Sequence, residues 1–190
     1  MIFVVDVEAD GPAPFFGSMI QIGAVHIGYD LKIDSGFDIL IKPMEGAGDI
    51  VMDPLLSNCY SLEWLIKLRE RASIEGCNQK DAMINFYEWI RDHSFSQDGS
   101  PTCPIYYSDN NGFDFAFTHW YFIKFIREYG DPFGHSSRNI SDIYKGLMGN
   151  MRKNFKSLRK TPHTHNAIDD AMGNAEALIE MVKKYGLKIF

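Results

Sequence analysis

The chain opens on Ile2-Phe3-Val4-Val5-Asp6-Val7-Glu8, an apolar run that ends in two carboxylates two residues apart. A run of this kind fills a strand covered on both faces of a sheet. Strand side chains repeat every second residue, so Asp6 and Glu8 project from one face. Side by side near a buried strand, two ionised carboxylates repel each other and lose hydration, unless a cation or hydrogen-bond donors compensate them. A bound divalent metal is the economical resolution. A strand that stops at Val5 and leaves both acids in water would show the same triplet. The D-x-E pattern therefore gains meaning only if further acids converge on it.

The rest of the chain supplies the frame. Ala9 to Pro14 reads as a loop punctuated by Gly11, Pro12 and Pro14, followed by Phe15 and Phe16. Ser18 to Gly28 alternates as a second strand and Gly36 to Lys42 as a third, with Phe37, Ile39 and Ile41 on one face. The short connections make the three an antiparallel meander. Residues 44 to 60 read as irregular, and Ser61-Leu62-Glu63-Trp64 as a helix start. Asn78 to His93 is an amphipathic helix with Ala82, Phe86, Trp89 and Ile90 on its apolar face. Ser94 to Pro104 is polar loop, Ile105 to Ser108 a fourth strand, and Asp114 to Tyr129 an aromatic helix. Asn139 to Ile143 reads as a fifth strand or a short helical entry. Ala167 to Tyr185 is the last helix, with Ile168, Ala171, Ala175, Leu178 and Val182 toward the core and Gly186 as its stop. This order predicts an α/β fold, a mixed five-stranded sheet flanked by helices, in one domain spanning 1–190.

Composition excludes several classes. With 45% hydrophobic and 14% aromatic residues the chain is neither disordered nor low in core material. No apolar run reaches membrane-spanning length, and Met1 leads straight into the first strand without a signal-like segment. Cys59, Cys77 and Cys103 are odd in number and widely spaced, which reads as free thiols in a reducing, cytoplasmic setting. The net charge is -6, yet from Arg138 to His163 seven basic residues face one acid, Asp142. Such segregation can leave a basic patch on an acidic protein.

Further acids arrive at two places. After the fourth strand comes Asp109-Asn110-Asn111-Gly112-Phe113-Asp114, at the end of a strand where α/β sheets collect ligands. Near the carboxyl terminus comes His165-Asn166-Ala167-Ile168-Asp169-Asp170, in which periodicity alone does not choose between the two aspartates. The joint order, D-x-E, then N-x-x-F-D, then H-x-x-x-D-D, resembles the DEDDh group of the DnaQ-like 3′-5′ exonucleases, within the RNase H-like superfamily.

That resemblance covers nearly the whole chain and carries specific implications. It makes Asp6, Glu8, Asp114 and Asp170 the four metal-binding acids and His165 the general base, its five-residue spacing selecting Asp170 over Asp169. It implies two divalent cations, Mg²⁺ or Mn²⁺, consistent with an all-carboxylate donor set. Asn110 matches the family asparagine before the second motif. The Ala9 amide is left as a contact to the terminal nucleotide, because Ala9 and Asp10 replace the usual hydroxyl residues; Asp109 replaces a common histidine. Phe15 and Phe16 read equally as a stacking clamp for terminal bases or as buried core, and the stretch from Arg152 to Lys160, with Arg152, Lys153 and Lys156, is expected to guide phosphates. The implied activity is metal-dependent 3′-5′ hydrolysis of single-stranded or short DNA or RNA, with a homodimer as an allowed assembly. An endonuclease or a catalytically idle binding module on the same fold are the alternatives.

Overall fold

A computed structural model describes residues 1–47, 62–96 and 98–190. Five strands form one sheet in the order β3-β2-β1-β4-β5, with β1 (Ile2–Ala9) at its centre. β2 (Met19–Ile27) pairs antiparallel with β1, and β3 (Ile33–Leu40) antiparallel with β2. β4 (Ile105–Ser108) runs parallel to β1, and β5 (Ser137–Asn139) parallel to β4. The helices are α1 (Leu62–Glu75), α2 (Gln79–Asp92), α3 (Asp114–Phe125), α4 (Ile140–Met148) and α5 (Ala167–Tyr185).

The two faces of β1 enter different cores. Phe3, Val5 and Val7 pack with Phe86 and Ile90 of α2 and Phe117, Tyr121 and Phe122 of α3. Ile2 and Val4 pack on the other side with Leu178 and Met181 of α5 and Tyr144 of α4. Asp6 and Glu8 continue the Ile2, Val4 row, so the strand's own alternation sends both acids toward the α5 side. β2 is buried along its whole length, whereas β3 alternates in exposure as an edge strand does.

Several boundaries differ from the sequence expectation. β3 starts at Ile33 and stops at Leu40, because its register with β2 continues back to Ile27; Ile41 leaves it to bridge Cys77. α3 ends at Phe125 and not at Tyr129, since Ile126 departs from helical geometry (φ -137°, ψ 41°) where it is buried in the core. At 139–143 both expectations hold in part: the strand ends at Asn139, whose side chain accepts from the Asp142 amide at 2.8 Å and starts α4. Trp89 is only half-buried, donating its indole N–H to Ser35 Oγ at 3.0 Å. Residues 48–60, Ser61 and Cys59 lie outside the described residues; Cys77 and Cys103 are free thiols. Among the described residues no helix is long and apolar enough to cross a membrane.

Candidate active site

The end of β1 is where the sheet parts. Pairing with β4 runs only from Ile2↔Ile105 to Val4↔Tyr107, after which β4 turns away toward α3. The Val7 amide lies beyond that ladder and donates to Asp114 Oδ1 at 3.2 Å, while the Asn110 amide donates to Oδ2, also at 3.2 Å. Asp114 is the first residue of α3 and is 4% exposed, so it is no solvated helix-capping acid. Two backbone donors aim it at the strand that carries Asp6.

Asp170 arrives from the other side by a close backbone approach. Gly23 pairs with Asp6 across β1 and β2, and a Cβ on Gly23 would overlap the Ala167 backbone. The bare glycine lets the first turn of α5 lie directly on β2, and the Ala167 amide donates to Gln21 Oε1 at 3.4 Å. Oxygens of Asp6, Glu8 and Asp170 consequently lie within 4.8 Å of one another.

Electrostatics mark the cluster. Burial, then the neighbouring Asp170 and Asp114, push Glu8 up to about 8. Burial pushes Asp114 up to about 7 against its backbone donors. Asp6 is raised well above the ordinary carboxylate range by burial, then by Asp114, Glu8, Asp170 and Asp109. Carboxylates held together out of water shift in this direction. A divalent cation would relieve both the desolvation and the repulsion, so the oxygen-only donor set fits Mg²⁺ or Mn²⁺.

His165 stands at the rim of this cage, in a left-handed backbone conformation (φ 56°) that is uncommon for a residue with a Cβ. Asp170 holds it there: the His165 amide donates to Asp170 Oδ2 at 3.0 Å and the Thr164 amide to Oδ1 at 3.3 Å. Its ring packs 5.3 Å from Trp64 of α1 and 4.3 Å from His163. Burial, then the charge of His163, lower its pKa below the ordinary histidine value. The imidazole is therefore neutral, and basic, near pH 7.

The departures from the family pattern also find places. Asp10 is buried, with Oδ1 accepting from the Ser18 amide and Oδ2 3.2 Å from Arg69 Nη1, so it ties down the loop that carries Phe15 and Phe16. Those two rings are 71% and 70% exposed and meet edge to face at 5.5 Å. Asp109 is raised by burial and lies near Lys156, Arg159 and His163. Asp169 accepts from Thr164 Oγ1 at 3.0 Å, on the outer side of the loop. Ala9 ends β1 half-buried, and Asn110 is exposed, its backbone serving Asp114.

The basic stretch divides. Arg152, Lys153 and Lys156 are exposed around a single 3₁₀ turn at Lys156–Leu158, anchored by buried Phe155. Arg159 is not part of that exposed row, which corrects its grouping with the phosphate-guiding residues. Its guanidinium is buried and contacts Asp170 Oδ1 at 2.7 Å. Arg159, His163 (Nδ1 2.8 Å from Asp170 Oδ1) and Trp64 are site neighbours that pattern reading overlooked. A glycine at 173, in a helix otherwise rich in alanine, was the available signal for the first.

A central β1 with antiparallel β2 and β3 on one side and parallel β4 and β5 on the other, flanked by helices, is the RNase H-like fold. A curated relative is the 3′-5′ DNA exonuclease Cap18 of Escherichia coli, 28% identical over 195 residues, spanning 98% of this chain and 94% of that protein. No family model matches the chain. Among solved structures, Escherichia coli exonuclease I in complex with a dT13 oligonucleotide superposes with a TM-score of 0.63 at 16% identity, covering 97% of this chain and 41% of that one. A 3′-exonuclease recognising the 3′ end of histone mRNA stem-loop gives 0.68 at 14% identity, covering 98% and 65%. The chain thus spans well under half of the former and about two thirds of the latter. A zinc-bound form of the exonuclease I–single-stranded DNA complex also matches, at 0.65. At such identities these structures establish the fold.

Proposed function

We propose that the protein is a metal-dependent 3′-5′ exonuclease that removes nucleoside monophosphates from single-stranded or short nucleic acid in a reducing, cytoplasmic setting. The observation that carries this reading is the convergence of Asp6, Glu8 and Asp170 within 4.8 Å, with Asp114 electrostatically coupled to them and His165 at the rim. The curated relative's name and the oligonucleotide-bound neighbours support it.

The four acids would hold two divalent cations, Mg²⁺ or Mn²⁺. When bound, such a pair supplies charge neutralisation and Lewis acidity on both sides of an in-line phosphoryl displacement. The residues of the chain do the remainder. An imidazole nitrogen of neutral His165 takes the proton from the attacking water, a contribution worth about 10²–10⁴ in rate. Water's oxygen bonds to phosphorus as the bond to the preceding nucleotide's 3′ oxygen breaks. The Asn110 and Val7 amides keep Asp114 ionisable and oriented. Phe15 and Phe16 stack on the terminal bases, the Ala9 amide and Asn110 contact the terminal nucleotide, and Arg152, Lys153 and Lys156 draw in the backbone electrostatically.

Matched 3′-labelled and 5′-labelled DNA and RNA oligomers, incubated with Mg²⁺ or Mn²⁺ and with EDTA, provide the test. A 3′ label should be released first as mononucleotide, only with metal, and a blocked 3′ end should stop the reaction. Internal cuts in blocked substrate would instead make the protein an endonuclease. Binding without cleavage in any metal would make it a binding module.

A further inference from the structure

We propose that Arg159 is a positioning residue: its guanidinium fixes Asp170 and the His165 loop as one unit, setting the geometry of the acid cage. The inference rests on the exonuclease reading for its catalytic consequence, but not for its metal-binding one.

Arg159 Nη2 donates to Asp170 Oδ1 at 2.7 Å and to the Pro162 carbonyl at 3.3 Å. Nε donates to the Thr161 carbonyl at 3.2 Å, and Nη1 to Asn174 Oδ1 at 3.3 Å. The arginine and aspartate side chains are 6% and 1% exposed. A single planar fork thus joins the loop before His165 to two residues one turn apart on α5, which a lysine ammonium cannot reproduce.

Space for this group is built into α5. At Gly173 a Cβ would land inside the guanidinium. Glycine disfavours a helix interior, and the neighbouring positions 171, 175 and 177 are all alanine. The helix therefore gives up propensity at a position where the guanidinium lies against its backbone. Asn174, itself 1% exposed, is the next residue and supplies a further acceptor.

A buried ion pair is poor evidence for stability in itself, since desolvation offsets the attraction. Its location argues for a different role. Asp170 Oδ1 takes Arg159, His163 and the Thr164 amide, whereas Oδ2 takes the His165 amide. The carboxylate that approaches Asp6 and Glu8 is thus prevented from rotating, and the same contacts hold His165 in its left-handed conformation. Partners that orient a metal-binding group in this way usually matter 10–100-fold in metal affinity or activity.

The experiment compares the wild type with Arg159→Gln, Arg159→Lys and Gly173→Ala, reading Mn²⁺ affinity per folded molecule by calorimetry and single-turnover cleavage. Each variant is expected to lose about 10–100-fold in Mn²⁺ affinity, with the single-turnover rate falling alongside it. Arg159→Lys should not rescue, because charge without the fork does not hold the loop. A purely structural ion pair would lower the melting temperature and leave Mn²⁺ affinity of the folded fraction unchanged; that result overturns the proposal. If both Arg159 variants fail to fold, Gly173→Ala decides: it keeps the arginine but displaces it, and wild-type Mn²⁺ affinity there also overturns the proposal. Should the wild type bind Mn²⁺ without cleaving, the exonuclease reading fails while the affinity comparison still judges Arg159.

Discussion

Asp169 and Asp170 are adjacent acids with different surroundings. Asp170 is 1% exposed and accepts from two backbone amides and Arg159, whereas Asp169 is half-buried and accepts from the Thr164 hydroxyl. Asp170→Asn should abolish cleavage and weaken Mn²⁺ binding, while Asp169→Ala should retain activity within a few-fold; the reverse pattern in a single-turnover assay would assign the wrong acid. At His165 the backbone matters as much as the ring. Asparagine tolerates left-handed geometry better than most residues, so His165→Asn should fold with little change in melting temperature. Its cleavage rate should nevertheless fall about 10²–10⁴-fold. Of the candidate groups, Asp6 and Glu8 were paired by their spacing within one strand, whereas Asp114, His165 and Asp170 were picked out only by the resemblance of the joint motif order. Arg159 was not, because a basic residue in a basic stretch carries no sign that it points inward.

At the scale of elements, the site depends on α5 lying closely on β2. Gly23 allows that contact, so Gly23→Ala places a methyl against the Ala167 backbone. Overpacking of this kind costs about 1–3 kcal/mol, and relief by lifting the first turn of α5 would carry Asp170 away from Asp6 and Glu8. Thermal melting should show the destabilisation, and Mn²⁺ affinity should fall in the protein that remains folded. A variant with normal stability and affinity would mean that the helix start has more room than its backbone contact implies. The sequence showed that Ala167 to Tyr185 is a helix ending at Gly186, since local propensity and the stop signal suffice for that. The glycine within an alternating strand did not by itself indicate which element approaches it.

Across the whole molecule, the buried acids couple stability to pH. Glu8, raised to about 8, and Asp114, raised to about 7, keep protons in the folded state that the unfolded chain has already released. Raised carboxylates therefore make stability fall as pH rises through that range. His26 and His165 are lowered from 6.5 and act in the opposite sense, but only below that value. Melting in EDTA should accordingly decline from pH 6.5 to 8.5, and saturating Mg²⁺ should remove the decline, because the cation binds the ionised acids. A melting temperature that rises with pH in EDTA would contradict the charge arrangement. Taken alone, the sequence determined the order of strands and helices and the mixed sheet, because period and turn residues are written locally along the chain; the five candidate groups it offered rest on the resemblance of their joint motif order. Tertiary structure alone decided that the Val7 amide would meet Asp114, that a bare Gly23 would admit α5, and that Arg159 would be buried against Asp170. Those are contacts between segments far apart in sequence or turned inward by packing, and no local pattern specifies where such segments meet.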